Sequence, residues 1–170
     1  MDLKQFIRDV PDFPKPGILF RDISPLLENG EAWQTAVNHM AMRVARHRAD
    51  VLAGIDARGF LVAAPIAYKL GIGFTMVRKK GKLPWQKVSH TYELEYGSDT
   101  LELHEGAFKP GQRVVVCDDL LATGGTAGAT LDLVRKCGGE PVAFACLIEL
   151  ADLKGREKLG GLPVEALLTY

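Results

Sequence analysis

Cysteine is scarce in this chain, and what there is forms no pattern. The three thiols, Cys117, Cys137 and Cys146, are odd in number and show no Cys-x-x-Cys spacing. That excludes a disulfide framework and a cysteine-built zinc site. An excess of one charge is missing as well. Lysine plus arginine total 21 and aspartate plus glutamate total 21, a formal net charge of zero. No global basic field exists to capture nucleic acid, so any anion site must be local. Long apolar runs are absent: nothing approaches the ~20 residues that span a bilayer. Residues 1–9 are charged throughout and hold no apolar signal region. No membrane partner is expected, and a reducing cytoplasm is the expected compartment, with Cys117 and Cys146 as buried thiols in apolar runs. The best-known phosphate-binding loops are also missing. No glycine pair leads into Gly-Lys-Ser/Thr, and no G-x-G-x-x-G follows a strand.

What remains is the composition of an ordinary globule, 47% apolar and 25% charged. A chain of 170 residues suits one domain, burying roughly 70% of its unfolded surface. No repeat, low-complexity tract or linker divides 1–170. Leu3, Phe6, Ile7 and Val10 recur at helical spacing, and Pro11 ends that predicted first helix. Pro14, Pro16, Gly17 and Pro25 then predict an irregular, extended course up to Leu27. Trp33, Val37, Met40 and Val44 recur with a period near 3.6, predicting one long amphipathic helix over 31–48. His39 and His47 lie on or beside it as structural or solvated groups.

Short apolar strands are predicted at 51–55, 72–77, 114–117 and 142–148, alternating with helices over 60–70 and from Thr126. That alternation argues an α/β fold, a parallel twisted sheet flanked by helices with right-handed crossovers. Between 77 and 110 the pattern breaks. Residues 78–82 are basic and interrupted by glycine, while 92–103 alternate with period two around Gly97-Ser98-Asp99. A basic arm and β-hairpin over about 78–108 are expected, an excursion of the kind that serves as a lid.

The most informative stretch is Val114-Val115-Val116-Cys117-Asp118-Asp119-Leu120-Leu121-Ala122-Thr123-Gly124-Gly125-Thr126. An apolar strand ends in two adjacent carboxylates and turns through Thr-Gly-Gly-Thr into a helix. Small residues at a helix start let backbone N–H groups converge on an anion, which the helix dipole also favours. Carboxylates beside a phosphate pocket suit sugar hydroxyls or a hydrated divalent cation. The plainer alternative is an ordinary turn whose aspartates cap the next helix. In an open parallel sheet the turns after Ile55 and after the aspartate pair should face one crevice.

Taken whole, this string resembles the phosphoribosyl-diphosphate signature of the type I phosphoribosyltransferases. Five further blocks resemble the members of that family that act on adenine. These are Phe13-Pro14-Lys15-Pro16-Gly17-Ile18, Phe20-Arg21-Asp22-Ile23-Ser24-Pro25, Asp56-Ala57-Arg58-Gly59-Phe60, Arg78-Lys79-Lys80-Gly81-Lys82-Leu83-Pro84 and Tyr92-Glu93-Leu94-Glu95-Tyr96-Gly97. They stand in the family's order, and the likeness runs on through Leu153-Lys154-Gly155-Arg156-Glu157-Lys158-Leu159. The resemblance implies one phosphoribosyltransferase core with a small N-terminal purine-binding hood, about 1–35, and the hairpin lid.

On the same resemblance, Ala122, Thr123, Gly124, Gly125 and Thr126 hold the 5′-phosphate. Asp118 and Asp119 accept hydrogen bonds from the ribose 2- and 3-hydroxyls. Arg58 serves the diphosphate and the catalytic step, and Arg78, Lys79 and Lys82 form a further basic segment near the diphosphate. Phe20 and Leu120 sandwich the purine, whose edge is read by main-chain groups of Leu19 and Arg21. Glu95 is matched to an acidic residue with a catalytic part at the purine imidazole, helping N9 become nucleophilic by hydrogen bonding or proton transfer, with Glu93 on the same strand face as a confounder. Mg²⁺ is the implied cofactor, held through substrate phosphates with no direct protein side-chain ligands.

The implied activity moves the 5-phosphoribosyl group of 5-phospho-α-D-ribose 1-diphosphate to N9 of adenine, giving AMP and diphosphate. The implied partners are those two substrates and a second copy in a homodimer. A related purine acceptor, such as hypoxanthine or xanthine, is the near alternative. A ligand-sensing regulator on the same fold is the distant one, but no basic helix pair precedes the first core strand. One departure stands out: Pro84 is followed by Trp85-Gln86-Lys87-Val88-Ser89-His90, where the family commonly carries a glycine-containing stretch.

Overall fold

The computed structural model describes residues 1–94 and 96–170. The predicted alternation of strand and helix is present. The chain forms β3 (Val51–Ile55), α3 (Arg58–Leu70), β4 (Gly73–Lys79), β7 (Gln112–Leu121), α4 (Gly125–Lys136), β8 (Gly139–Glu149) and β9 (Val164–Thr169). Ahead of them lie β1 (Arg8–Val10), β2 (Phe20–Asp22), α1 (Ser24–Glu28) and α2 (Gly30–Ala45). The hairpin of β5 (Lys87–Glu93) and β6 (Ser98–His104) is inserted after β4. Among the described residues the main sheet has seven strands in the order β5-β6-β4-β3-β7-β8-β9. β4, β3, β7, β8 and β9 run parallel, and the hairpin joins antiparallel at the β4 edge.

The buried strands read as near-continuous apolar runs because both faces of the sheet are covered. On β7, Val115 and Cys117 face the layer of α1, α2 and α3, where Leu26, Met40, Val44, Val62 and Ile66 are buried. Val114 and Val116 face the other layer with Leu131, Leu133 and Phe144, which α4 and the hairpin strand β6 complete through Leu101 and Leu103. Each fully buried leucine or valine of this kind contributes about 1.5–3 kcal/mol. The three thiols are free and buried, as expected for the two on β7 and β8, and burial pushes those of Cys117 and Cys146 far up.

Several boundaries differ from the sequence reading. The predicted first helix is only a 3₁₀ turn, Leu3–Phe6, after which the chain pairs Val10 with Phe20 in the two-stranded sheet β1–β2. Only Leu3 of that apolar set is buried, too little to offset the cost of nucleating so short a helix. The stretch expected to be irregular up to Leu27 contains both β2 and α1, with Pro25 at the favoured first turn of α1. The hairpin begins five residues before the predicted Tyr92, at Lys87, and registers Tyr92 opposite Asp99. β9 has no counterpart in the sequence reading, and β7 continues through both aspartates instead of stopping at Cys117. No helix among the described residues is long and apolar enough to cross a membrane.

Candidate active site

β3 and β7 lie side by side and parallel, with Gly54 opposite Cys117. The chain leaves them in opposite lateral directions, β3 by way of α3 to β4, and β7 by way of α4 to β8. At such a switch point the two following turns diverge and leave a crevice beyond the strand ends. Here it is a cleft of about 220 Å³ lined by Arg58, Asp118, Asp119, Leu120, Leu121, Ala122, Thr123, Gly124, Gly125, Thr126 and Ala127. Arg58 and the whole 118–126 segment singled out from the sequence therefore meet in one place.

The floor of this cleft is built for an anion. α4 starts at Gly125, after Gly124 in a left-handed conformation at φ 82°, and no side chain caps it. Its first backbone N–H groups are free to donate, and the helix dipole adds to their pull. The turn is braced from behind by the segment Gly155–Leu159. A Cβ placed on Gly124 would lie 2.4 Å from the Gly155 carbonyl oxygen, and one on Gly155 would lie 2.4 Å from that of Ala122. Arg156 fixes this brace by a two-pronged ion pair to the buried Glu149 at the end of β8, at 2.5 and 2.7 Å.

Asp118 and Asp119 belong to the ladder, Asp118 standing opposite Cys146 of β8. The Asp119 N–H donates to Asp118 Oδ1 at 2.8 Å, and Arg58 Nε donates to Asp119 Oδ2 at 2.5 Å. Burial raises the Asp118 carboxyl well above its ordinary 3.8, and the adjacent Asp119 carboxylate raises it further. A carboxyl raised in this way stabilises the fold fully below 3.8 and loses that contribution as pH rises through the shifted value. Asp118→Asn, which keeps the acceptor oxygen and removes the charge, is therefore expected to raise the melting temperature at pH 7 by a few degrees. The difference from the unsubstituted protein should close as pH falls toward 3.8 in a thermal-melt series.

The basic arm sits beside this cleft without lining it. Asp56, between β3 and α3, gathers Arg78 Nε at 3.2 Å, the Lys79 N–H at 3.3 Å and Lys82 Nζ at 3.7 Å. Burial pushes the Asp56 carboxyl up, but the Arg78 bond leads the opposing interactions and the net value falls below the ordinary one. Lys79 Nζ pairs with Asp99 of β6. Asp56 and Asp99 carry this arrangement, and neither was singled out from the sequence. A lone aspartate after a strand or inside a hairpin gives no signal of what it will hold. Tyr92, which opens the block 92–97 but carries no local signal of its own, has its hydroxyl 3.0 Å from Thr126 Oγ1 in the first turn of α4. His90 of β5 accepts from Lys136 Nζ at 2.6 Å, a second tie between hairpin and helix.

The hood residues divide by strand alternation. Phe20 lines not that cleft but a separate apolar groove with Val10, Phe13 and Asp22, with the Arg58 guanidinium 5.6 Å from its ring centre and Phe13 packed edge-on at 5.2 Å. Leu19 and Arg21 turn away into a second cleft with Leu150, Asp152, Leu153 and Tyr170. There the Arg21 guanidinium lies 4.0 Å from the Tyr170 ring centre and pairs with Asp9. Leu120 lines the first cleft, to which no hood residue contributes. Glu95 lies outside the described residues. Among the described residues no three His, Cys, Asp or Glu side chains cluster as a metal site.

Residues 26–161 match the phosphoribosyl transferase domain family. Over its full 170 residues the chain is 61% identical to the adenine phosphoribosyltransferase of Rhodospirillum rubrum, covering 99% of that protein. Against the enzyme of that name from Gluconobacter oxydans it is 59% identical over all of this chain and 94% of the other. Among solved structures, adenine phosphoribosyltransferase from Thermoanaerobacter pseudethanolicus superposes with a TM-score of 0.96 at 47% identity, over 99% of this chain and 98% of that one. The Saccharomyces cerevisiae enzyme, solved with an imino-altritol bisphosphate and adenine, gives a TM-score of 0.93 at 38% identity, over 98% and 97% of the two chains.

Proposed function

Because the chain belongs to the phosphoribosyltransferase family, we propose that it is an adenine phosphoribosyltransferase, and that its cleft at the β3–β7 switch point is where the transfer occurs. N9 of adenine attacks C1 of 5-phospho-α-D-ribose 1-diphosphate, the C1–O bond to diphosphate breaks, and AMP forms with inversion at the anomeric carbon. The observation that carries this reading is the convergence of Arg58, Asp118, Asp119 and the 122–126 turn on one cleft.

Each part has a task set by its chemistry. The free amides at the start of α4, with the Thr123 and Thr126 hydroxyls, receive the 5′-phosphate. Asp118 and Asp119 accept from the ribose hydroxyls, and their negative potential favours the positive charge that develops at C1 as the bond loosens. The Arg58 guanidinium, held by Asp119, meets the departing diphosphate. Arg78, Lys79 and Lys82, gathered by Asp56 and Asp99, add positive charge on the same side. Mg²⁺ carried by the diphosphate, with no direct side-chain ligand, would neutralise the charge of the leaving group, and the carboxylate pair could accept from its waters. Glu95 keeps the role implied by the resemblance, helping N9 become nucleophilic by hydrogen bonding or proton transfer at N7 or N9.

The acceptor is selected at the hood. β2 pairs with β1 along one edge and, among the described residues, with no strand along the other. Main-chain groups of Leu19 and Arg21 are thereby left for the edge of a flat heterocycle stacked between Phe20 and Leu120. A backbone carbonyl accepts from the 6-amino group of adenine but opposes the 6-oxo group of hypoxanthine or guanine, at a cost of about 1–3 kcal/mol. With the sugar diphosphate and Mg²⁺ supplied, adenine is expected to exceed hypoxanthine and guanine in kcat/KM by about 5- to 150-fold. Faster nucleotide formation from hypoxanthine would overturn the acceptor assignment.

The hairpin and arm act as the cover that keeps water from the sugar diphosphate. A second copy of the chain is the proposed partner. Leu61 and Tyr68, seven residues apart on one face of α3, and Phe74 and Met76 on one face of β4 are exposed by 44%, 90%, 38% and 40%. Apolar exposure gathered on neighbouring elements suits a subunit interface. The three free thiols agree with a reducing cytoplasm.

A further inference from the structure

The hydroxyl of Tyr92 has no part in the reaction so far, yet it occupies the junction between the hairpin and the anion-binding turn. It lies 3.0 Å from Thr126 Oγ1 and 3.4 Å from Asp99 Oδ2. A tyrosine carries one hydroxyl proton, so it can donate to only one of them at a time. Asp99 is already engaged: its Oδ2 receives Lys79 Nζ, and its Oδ1 receives the Thr100 N–H at 2.8 Å. The 3.4 Å contact is also at the limit of a useful hydrogen bond, whereas 3.0 Å is not. Phenol is the more acidic of the two facing hydroxyls, which favours donation from Tyr92 to Thr126 over the reverse.

We propose that Tyr92 is a positioning residue for the 5′-phosphate: it donates to Thr126 Oγ1 and so leaves the Thr126 hydroxyl proton to point into the cleft. The proposal rests on the phosphoribosyl reading of that cleft. Thr126 lines it at the start of α4, where the nearby donors are backbone amides. The acceptor for the Thr126 proton is then the anion those amides attract, and a hydroxyl that is itself accepting a bond donates more strongly. Were the sense reversed, Thr126 would spend its proton on Tyr92 and present only lone pairs to a phosphate. Asp99 also stands as an acceptor for the tyrosine proton at 3.4 Å, but its pairing with Lys79 and its longer reach weaken that competition against the 3.0 Å contact with Thr126.

Tyr92→Phe deletes the hydroxyl and keeps the ring that packs against the α4-side core, and Thr126→Val removes the receiving hydroxyl at similar size. Ribose 5-phosphate and inorganic diphosphate are each titrated calorimetrically into the unsubstituted protein, the two single variants and the double variant. Tyr92→Phe is expected to weaken ribose 5-phosphate by about 3- to 10-fold, the worth of one hydrogen bond. Diphosphate affinity should hold within about twofold. In the Thr126→Val background the tyrosine change should add nothing, because the bond it supported is already gone. An unchanged ribose 5-phosphate affinity in Tyr92→Phe, or the same penalty with and without Thr126, would overturn the role given to Tyr92 alone. An unsubstituted protein that binds no ribose 5-phosphate would overturn the reading of the cleft along with it.

Discussion

Replacing Asp118 and Asp119 together by asparagine is expected to lower kcat/KM for phosphoribosyl transfer by about 10³-fold while leaving the melting temperature within a few degrees. On the proposed reading each aspartate accepts a sugar hydroxyl, and hydrogen bonds to charged groups are worth about 1.5–3 kcal/mol apiece. Loss of both charges also removes the field that favours positive charge at C1, a contribution present only in the transition state. Both kcat and kcat/KM should therefore fall together. The stability side is balanced by opposing changes. The Asp119 change breaks the bond from Arg58, whose side chain is 53% exposed, so that loss is at most about 1 kcal/mol. The Asp118 change relieves a buried carboxylate held next to another. Steady-state kinetics and thermal melts on the same preparation check both halves. Turnover at the unsubstituted rate would remove the carboxylates from the reaction, and collapse of the fold would make them structural groups.

The second large effect is expected at Gly124. Its φ of 82° and the 2.4 Å approach of any Cβ to the Gly155 carbonyl oxygen forbid a side chain on two separate grounds. Alanine there must adopt a left-handed backbone, about 1–2 kcal/mol, and must drive the anion turn away from its brace. Gly81 provides the control, since it has the same φ of 82° with nothing within 4 Å of its Cβ position. Gly81→Ala should show the backbone cost alone. Gly124→Ala should lose about 2–4 kcal/mol in denaturant unfolding and weaken ribose 5-phosphate by more than about 100-fold, as the amides of the turn lose their convergence. Equal stability loss in the two variants, with ribose 5-phosphate affinity intact, would show that the brace does not shape the turn.

The features legible in the sequence are those whose signal is local. The run 114–126 carries strand, carboxylates, glycine turn and helix start within thirteen residues, and the cleft contains that segment from Asp118 onward. The long helix α2 was readable because Trp33, Val37, Met40 and Val44 keep one face over several turns. What escaped depends on pairing across long separations. β1 and β2 are three-residue strands whose existence rests on each other, and the apolar spacing from Leu3 to Val10 that leads into β1 imitates a helix. β9 is partly exposed along its length, so it lacks the continuous apolar run of its neighbours and is defined by lying beside β8. Asp56, Tyr92 and Asp99 matter only through partners twenty-three, thirty-four and twenty residues away, and no spacing rule connects such positions. Arg78 and Lys79, read as part of an irregular arm, are the last residues of β4, because the hairpin returns to pair with them.

Strand β2, proposed to face the purine, belongs to a separate two-stranded ribbon, whereas the acidic pair is woven into the seven-stranded ladder. On the proposed reading, choice of heterocycle and grip on the pentose are thus entrusted to different pieces of architecture. Grafting another ribbon onto the amino-terminal side could retarget the acceptor without disturbing the sugar chemistry, which makes this scaffold modular along the same line that its substrates are joined.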